Sequence, residues 1–599
     1  MQFQAVPSPR SRGWIISPLA DMILLVGSPL AIVPLIGFAA ETFSAQTIFL
    51  FVAAFASIGH HLPGFLRAYG DRNLFARFRW RFLLAPPLVA AAATLFAVNR
   101  MHGLDLILVL WATWHIMMQT YGLMRIYDLK RGVRDRTTAR LNLAVCLAVF
   151  AVGIVFSQTR IFSILEIVEQ VGLPLPPPTT LAGLRWLIGA SCGLLAFGYA
   201  VNGIVQARRH GPSWPKLLLL AMTGWLYWSC GSLSTNLLIG VAMFEIFHAL
   251  QYDTLVWTYN RRLTSRAGEG TGPLRFLFAN GWLSMACYVA AIAAFGSVKW
   301  VAESIDASAV KTALLILLLT STALHFYFDG FIWKVSETST QENIGIEGSG
   351  RARSRVPALV HAAKWGLLAA VGVLLVWIEV ERPPPTASEE EARVAESLTW
   401  APDVPELLVK NGQIRLAHGD ANSAAESARR AVQLRPSSAD GYLLLAESLA
   451  TSHDFSAARD AAEQASTLDP TSASASYQVG LSSVRLRDFP RAERALQQSI
   501  ALNPDFVRSH IQLGNVYRLT RRAPLAEQSH QRAVSLARRA AEKKPSSADA
   551  YSLLAEALAE SHDYSAARDA AEQASTLDPT SASASYQVGL SSVRLRDFP

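Results

Sequence analysis

Charge is scarce in this sequence. Only 17% of its 599 residues are Asp, Glu, Lys or Arg, against about 25% in an ordinary soluble chain. The shortage lies almost entirely before residue 380, which excludes one uniform soluble domain. The length alone exceeds what a single core supports. Cysteine is also scarce. Cys146, Cys192, Cys230 and Cys287 fall within or at the edge of apolar runs and match no zinc spacing. They read as small buried hydrophobes. There is no P-loop and no Rossmann glycine fingerprint. No aromatics interleave with basic residues, so the formal charge of +8 does not point to nucleic acid. The arginines sit instead in short clusters between apolar runs, a membrane-topology pattern.

What is present before residue 380 is a series of apolar runs. A spanning helix needs about 20 mainly apolar residues. Eleven candidate spans follow: 14–39, 45–66, 82–99, 104–127, 138–157, 181–205, 216–232, 234–258, 277–297, 309–333 and 360–379. Arg10 and Arg12 precede the first. That stretch is too long for a signal-peptide core and lacks a small-residue cleavage site, so it reads as an uncleaved span. The even-numbered loops are basic: Arg67 to Arg81, Lys130 to Arg136, Arg208 and Arg209, Arg261 and Arg262, and Arg351, Arg353 and Arg355. Basic loops stay cytoplasmic. The expectation is a transmembrane helical domain over 1–380, a linker over 381–404 and a repeat domain over 405–599. In a bacterium the chain would lie in the inner membrane with its C-terminal repeats in the periplasm. The fold class is all-α.

The C-terminal part repeats. Prolines stand at Pro436, Pro470, Pro504, Pro545 and Pro579, with intervals of 34, 34, 41 and 34. A small residue recurs at Gly412, Ala446, Gly480, Gly514, Ala555 and Gly589. Alanine recurs at Ala424, Ala458, Ala492, Ala526 and Ala567. Residues 436–490 return almost unchanged at 545–599. This resembles the tetratricopeptide repeat, a helix–turn–helix unit that stacks into a solenoid. Five full units and one partial unit are expected. The last stops at Pro599 after its first helix, so either that helix caps the array or the natural chain continues. The resemblance implies a protein or peptide partner in the concave groove. Arg508, Asn515 and Arg518 are the residues placed there to hold a carboxylate or a peptide backbone.

The sharper chemical signal is histidine. Ionisable side chains are costly inside a bilayer and usually face a bundle interior. The second span carries His60 and His61, the fourth His115, the eighth His248 and the tenth His325. All four spans end in a basic loop, so they run in the same direction. At about 1.5 Å per residue the histidines fall in one band roughly 10 Å deep. Gln119, Glu245, Tyr252 and Asp329 lie three or four residues from these histidines, on the same helix faces. Glu-x-x-His (Glu245–His248) is also a ligand pair of carboxylate-bridged di-iron bundles.

Neutral imidazole binds iron, zinc and copper. The expected ligands are His61, His115, His248 and His325, with Glu245 or Asp329 assisting, and the expected metal is iron or zinc. The layer is loosely similar to membrane carotene dioxygenases and fatty-acid hydroxylases, although the clustered histidine boxes of the hydroxylases are absent. The resemblance implies a metal-dependent oxidoreductase acting on a lipid-soluble substrate. Haem ligation, a proton or solute pathway, and a structural polar layer are the other readings of the histidines. Two further functions compete: a non-enzymatic, membrane-anchored repeat scaffold, and a lipid-linked sugar transferase. Transferases of that class carry acidic residues in a long first outside loop, whereas here that loop holds only Glu41.

Overall fold

The computed structural model describes residues 13–232, 236–267, 274–279, 281–305, 308–335, 337–346, 358–382, 386–579 and 582–595. The readings placed on Arg10, Arg12, Arg351, Arg353, Arg355 and Pro599 lie outside these residues. Among the described residues every extended element is a helix. The chain divides into two compact units, Met1–Pro385 and Thr386–Pro599.

In the first unit α1 (Pro18–Val26) and α2 (Pro29–Thr42) form a pair bent by 44°. There follow α3 (Ala45–Gly70), α4 (Arg72–Val98), α5 (Gly103–Lys130), α6 (Arg136–Val155), α7 (Gln158–Val171), α8 (Pro178–His210), α9 (Trp214–Ser232) and α10 (Leu237–Ala267). The short α11 (Leu274–Leu277) precedes α12 (Trp282–Ser304) and α13 (Ser308–Ile332), and α14 (Thr338–Asn343) precedes α15 (Ala358–Glu381). Eight of these helices are long and apolar enough to cross a membrane, or nine counting the bent pair. The expected spans 216–232 and 234–258 fall on α9 and α10, which are not among the nine. For α10 the physical reason is visible: it carries Glu245, His248, Gln251 and Asp253 along its length.

Polar residues organise this unit as much as apolar ones. Asp21 is fully buried and accepts from the backbone N–H groups of Ile15 (2.6 Å) and Ile16 (2.9 Å) and from the Tyr127 hydroxyl (3.0 Å). Leu25, Met124, Leu219, Leu226 and Phe247 close the core around it. A buried carboxylate is tolerated only with such partners.

The second unit begins with α16 (Ala387–Trp400), a helix started by a capping box between Thr386 and Glu389. A helix therefore stands where a linker was expected. Helical hairpins follow: α17 (Pro405–Ala417) with α18 (Ala421–Leu434), α19 (Ala439–Thr451) with α20 (Phe455–Leu468), α21 (Ala473–Arg485) with α22 (Phe489–Leu502), α23 (Val507–Leu519) with α24 (Ala523–Lys543), and α25 (Ala548–Glu560) with α26 (Tyr564–Leu577). The last helix is α27 (Ala582–Leu595). The recurrent small residues have a steric cause. A Cβ on Gly480 would come within 2.7 Å of Leu496, and one on Gly514 within 2.3 Å of the His530 ring. The recurrent alanines Ala424, Ala458, Ala492, Ala526 and Ala567 are all buried. Each hairpin turn needs one left-handed residue. Gly419 fills that place in the first, and His453, Arg487, Arg521 and His562 in the others. In four of the five hairpins an aspartate then caps the second helix: Asp420, Asp454, Asp488 and Asp563. The 41-residue interval is absorbed by α24, which has 21 residues where the other second helices have 14.

Candidate metal centre

The centre is assembled from α3, α5, α10 and α13. Its placement begins with an irregularity in α3. Residues Ala53–Ile58 are π-helical, and the Gly59 N–H reaches back five residues to the Ala54 carbonyl at 3.1 Å. Single π turns of this kind recur at functional sites. The stretch is pinned by α12. A Cβ on Gly296 would lie 2.0 Å from the Ala54 carbonyl oxygen, and one on Gly59 would lie 2.8 Å from Ile292. The two backbones therefore touch, and only glycine fits at either place.

His60 follows at once. Its Nδ1 lies 2.8 Å from the Ala56 carbonyl oxygen. A carbonyl only accepts, so Nδ1 carries the proton and Nε2 presents a lone pair. That Nε2 is 3.1 Å from Nε2 of His325, which is 3.2 Å from Nε2 of His115. The His248 ring stands edge-on to the rings of His60 and His115, with centroids 4.8 Å and 5.1 Å away. One ring nitrogen from each of His60, His115, His248 and His325 can be chosen so that all four lie within 4.8 Å of one another. These four residues are buried.

Two features favour a cation over hydrogen bonding among the rings. The Nε2 of His325 faces two other Nε2 atoms, and one N–H can serve only one of them linearly. In addition, Nδ1 of His248 is buried without a hydrogen-bond partner. Around an ion with metal–nitrogen bonds of about 2.1 Å, adjacent ligand nitrogens sit roughly 3 Å apart and opposite ones roughly 4.2 Å. The 3.1 and 3.2 Å separations match adjacent places on such an ion, and the widest, within 4.8 Å, would close by about half an ångström on binding.

The structure places His60, not His61, in this group of four. Successive residues on a helix point about 100° apart, so His61, equally buried, meets the group from another side. His61 instead stacks on His325, with centroids 4.5 Å apart, and its Nδ1 is 3.0 Å from the Ser321 hydroxyl. Asp329 lies beside the group. Its Oδ2 is 3.8 Å from His325 Nε2 and 3.9 Å from His115 Nε2. Its Oδ1 accepts from the Tyr252 hydroxyl at 2.9 Å. Gly64 makes room for that pair, since a Cβ there would fall 2.7 Å from the Tyr252 oxygen. Glu245 is not in the group of four and bonds the Ser57 hydroxyl of the π stretch. Gln119 ties α5 to α10 through the His248 carbonyl (3.0 Å) and Gln251 (3.1 Å).

Arg67 does not lie in a loop, where the charge pattern puts it. It sits in the last turn of α3 and is only 2% exposed. Its guanidinium lies between the Tyr259 and Trp333 rings, 3.9 Å and 3.8 Å from their centroids. Trp333 also donates to the Tyr252 hydroxyl at 3.4 Å. These two aromatic residues thus enclose a buried cation next to the candidate centre. The available signal was spacing: Arg67 stands seven residues after His60, two helical turns further along the same face.

The residues expected to bind peptide separate. Arg518 is bonded to Asn515 and to Glu560 of the next hairpin, both at 2.8 Å. Arg508 lines a cleft of about 600 Å³ with Arg539, Lys543, Asp549 and Glu556. The cleft lies against the lengthened α24.

Residues 409–473 and 505–580 match tetratricopeptide-repeat family signatures. Arrays of this type are protein–protein interaction scaffolds. Among solved structures, the chain is similar to MamA, with 25% identity, 26% of this chain and 91% of that one covered, and a TM-score of 0.24. It is also similar to a thermophilic TPR protein of Thermus thermophilus, with 18% identity, coverages of 32% and 99%, and a TM-score of 0.27. A third is YrrB, a TPR protein described as having an unusual peptide-binding site, with 16% identity, coverages of 32% and 96%, and a TM-score of 0.22. No curated protein matches the chain.

Proposed function

We propose that the first unit is a membrane-embedded metal-dependent oxidoreductase acting on a lipid-soluble substrate, and that the second recruits a protein partner. The observation that carries the first part is the convergence of His60, His115, His248 and His325 from four helices within 4.8 Å. Iron is the proposed metal, with zinc as the alternative. Iron held by these four imidazoles would supply activation of dioxygen. The chain's own residues do the rest. The Ala56 carbonyl fixes the tautomer of His60. Tyr252 directs one oxygen of Asp329 away and leaves the other toward the imidazoles. Such partners orient ligands and tune their basicity. Phe326, whose centroid is 4.9 Å from that of His115, helps keep water out.

The bilayer placement rests on the eight or nine long apolar helices. Many of their large side chains are exposed, among them Trp186, Leu194, Phe197 and Trp282. An apolar surface of that extent needs a non-aqueous neighbour. The proposed setting is a bacterial inner membrane with the repeats on the periplasmic side.

The test is metal content of the full chain, purified in detergent from cells grown with ample iron and zinc. About one metal per chain is expected. His60→Ala and His325→Ala should each lower it at least tenfold, while His61→Ala retains it. Less than a tenth of a metal per wild-type chain would sink the proposal. Equal loss in His60→Ala and His61→Ala would sink the ligand assignment.

A further inference from the structure

A second built site lies away from the histidines, between α8 and α9 where both lean on α6. Two cavities occupy this groove. One, of about 300 Å³, lies at the loop end and is lined by Asp128, Arg131, Tyr199, Ser213 and Lys216. The other, of about 420 Å³, is apolar and includes Val149, Cys192, Leu195, Leu220 and Trp228. Tyr199 lines both.

The loop-end cavity, mostly apolar in its exposed lining, gathers an excess of positive charge at one side. Asp128 is bonded by Lys216 (2.7 Å), Arg125 (3.0 Å) and Asn142 (2.7 Å). One carboxylate thus already has two cations. Arg131 adds a third and has no carboxylate at ion-pair distance among the described residues. Its guanidinium is held by the His210 carbonyl. Three buried polar atoms at this cavity lack a hydrogen-bond partner: Arg131 Nε, the Tyr199 hydroxyl and the Ser213 hydroxyl. The cavity also sits at the start of α9, whose N-terminus adds partial positive charge. A buried donor left without an acceptor is destabilising, so the site calls for an acceptor that the chain does not supply.

The apolar cavity sets what that acceptor is attached to. Along α8 it runs from Cys192 to Tyr199, seven residues or about 10 Å, which is much of one leaflet's depth of roughly 15 Å. The loop-end cavity, with its charged groups, then continues along α8 toward Ala207. An anionic head joined to a hydrocarbon chain matches this order. Basic pockets between helices at the cytoplasmic surface suit anionic lipid heads.

We propose that the groove binds one anionic phospholipid, with its phosphate against Arg131, Ser213 and Lys216 and an acyl chain in the apolar chamber beyond Tyr199. The proposal rests on the bilayer placement above and makes no use of the metal. Full-length chain in neutral detergent is titrated with phosphatidylglycerol, phosphatidylcholine and inorganic phosphate, and bound lipid is counted by native mass spectrometry. One phosphatidylglycerol per chain is expected, with at least tenfold preference over phosphatidylcholine. Arg131→Gln with Ser213→Ala should weaken it tenfold or more. Gly224→Leu should expel it by filling the chamber, because Gly224 has open space where a side chain would go. Lys216 is left intact because its loss would strand Asp128. Metal content and melting temperature should stay at wild-type values in these variants, which separates this outcome from that of the metal centre. Equal retention of the two lipids, or retention by the Arg131/Ser213 variant, overturns the proposal. Tight binding of inorganic phosphate that is indifferent to Gly224→Leu means a free-phosphate site and also overturns it. Release of the whole chain from membranes by alkaline carbonate would remove its premise.

Discussion

Both units bring backbones close through small residues, but for different ends. In the repeats, Gly480 and Gly514 admit a side chain of the paired helix, Leu496 and His530. The result is packing, copied from hairpin to hairpin. In the first unit, Gly59 and Gly296 press one backbone on another and hold the π stretch that aims His60. Gly64 clears space for a hydroxyl that orients a carboxylate. Each of these contacts occurs once. A repeated contact spreads its burden across units, whereas a unique one concentrates chemistry and fragility together.

The contrast can be broken by substitution. Gly296→Ala is expected to have the largest effect, about 3 kcal/mol at the upper end of overpacking costs, because the obstacle is a carbonyl that cannot move aside. It should also lower metal content, read on the same preparation. Asp329→Asn comes next. Loss of such a partner weakens metal binding by about 10–100-fold, measurable by chelator competition, with the fold intact by circular dichroism. Gly480→Ala should cost only about 1 kcal/mol and leave the metal untouched, since the Leu496 side chain can give way. If it destabilises as much as Gly296→Ala, the contrast is void. Arg487→Gly is the smallest and has the opposite sign. It relieves a left-handed residue and should add about 0.5–1 kcal/mol, seen as slower hydrogen exchange across the third hairpin.

Much of the second unit was legible because its constraint repeats. The prolines, small residues and alanines recur at fixed spacing, and each has a steric reason in the hairpins. The lengthened α24 was visible as the 41-residue interval, though not its cleft. The histidine layer was legible through cost: four helices of a mainly apolar unit each carry a buried imidazole. The choice between His60 and His61 was not, because a π turn shifts helical phase and leaves no sequence mark beyond Gly59. Arg67 was misplaced because basic residues near span ends usually mark loops. The expected eleven spans fall to eight or nine candidate helices, in part because α10 trades apolarity for polar residues such as Glu245, His248 and Asp253. The metal, the substrate and the partner have no sequence signature here that separates them from a structural polar layer.

The π stretch in α3 amounts to one residue more than an α-helix would hold between the same two points. Straightened to ordinary α-helix with every residue kept, the segment would turn everything beyond it by about 100°. Nothing before it would turn. The imidazole now pointing inward would swing off toward a neighbouring helix, and the Arg67 guanidinium would leave its two rings in the same movement. Removing one residue from Ala53–Ile58 would instead close the segment as α-helix and leave what lies beyond it in place.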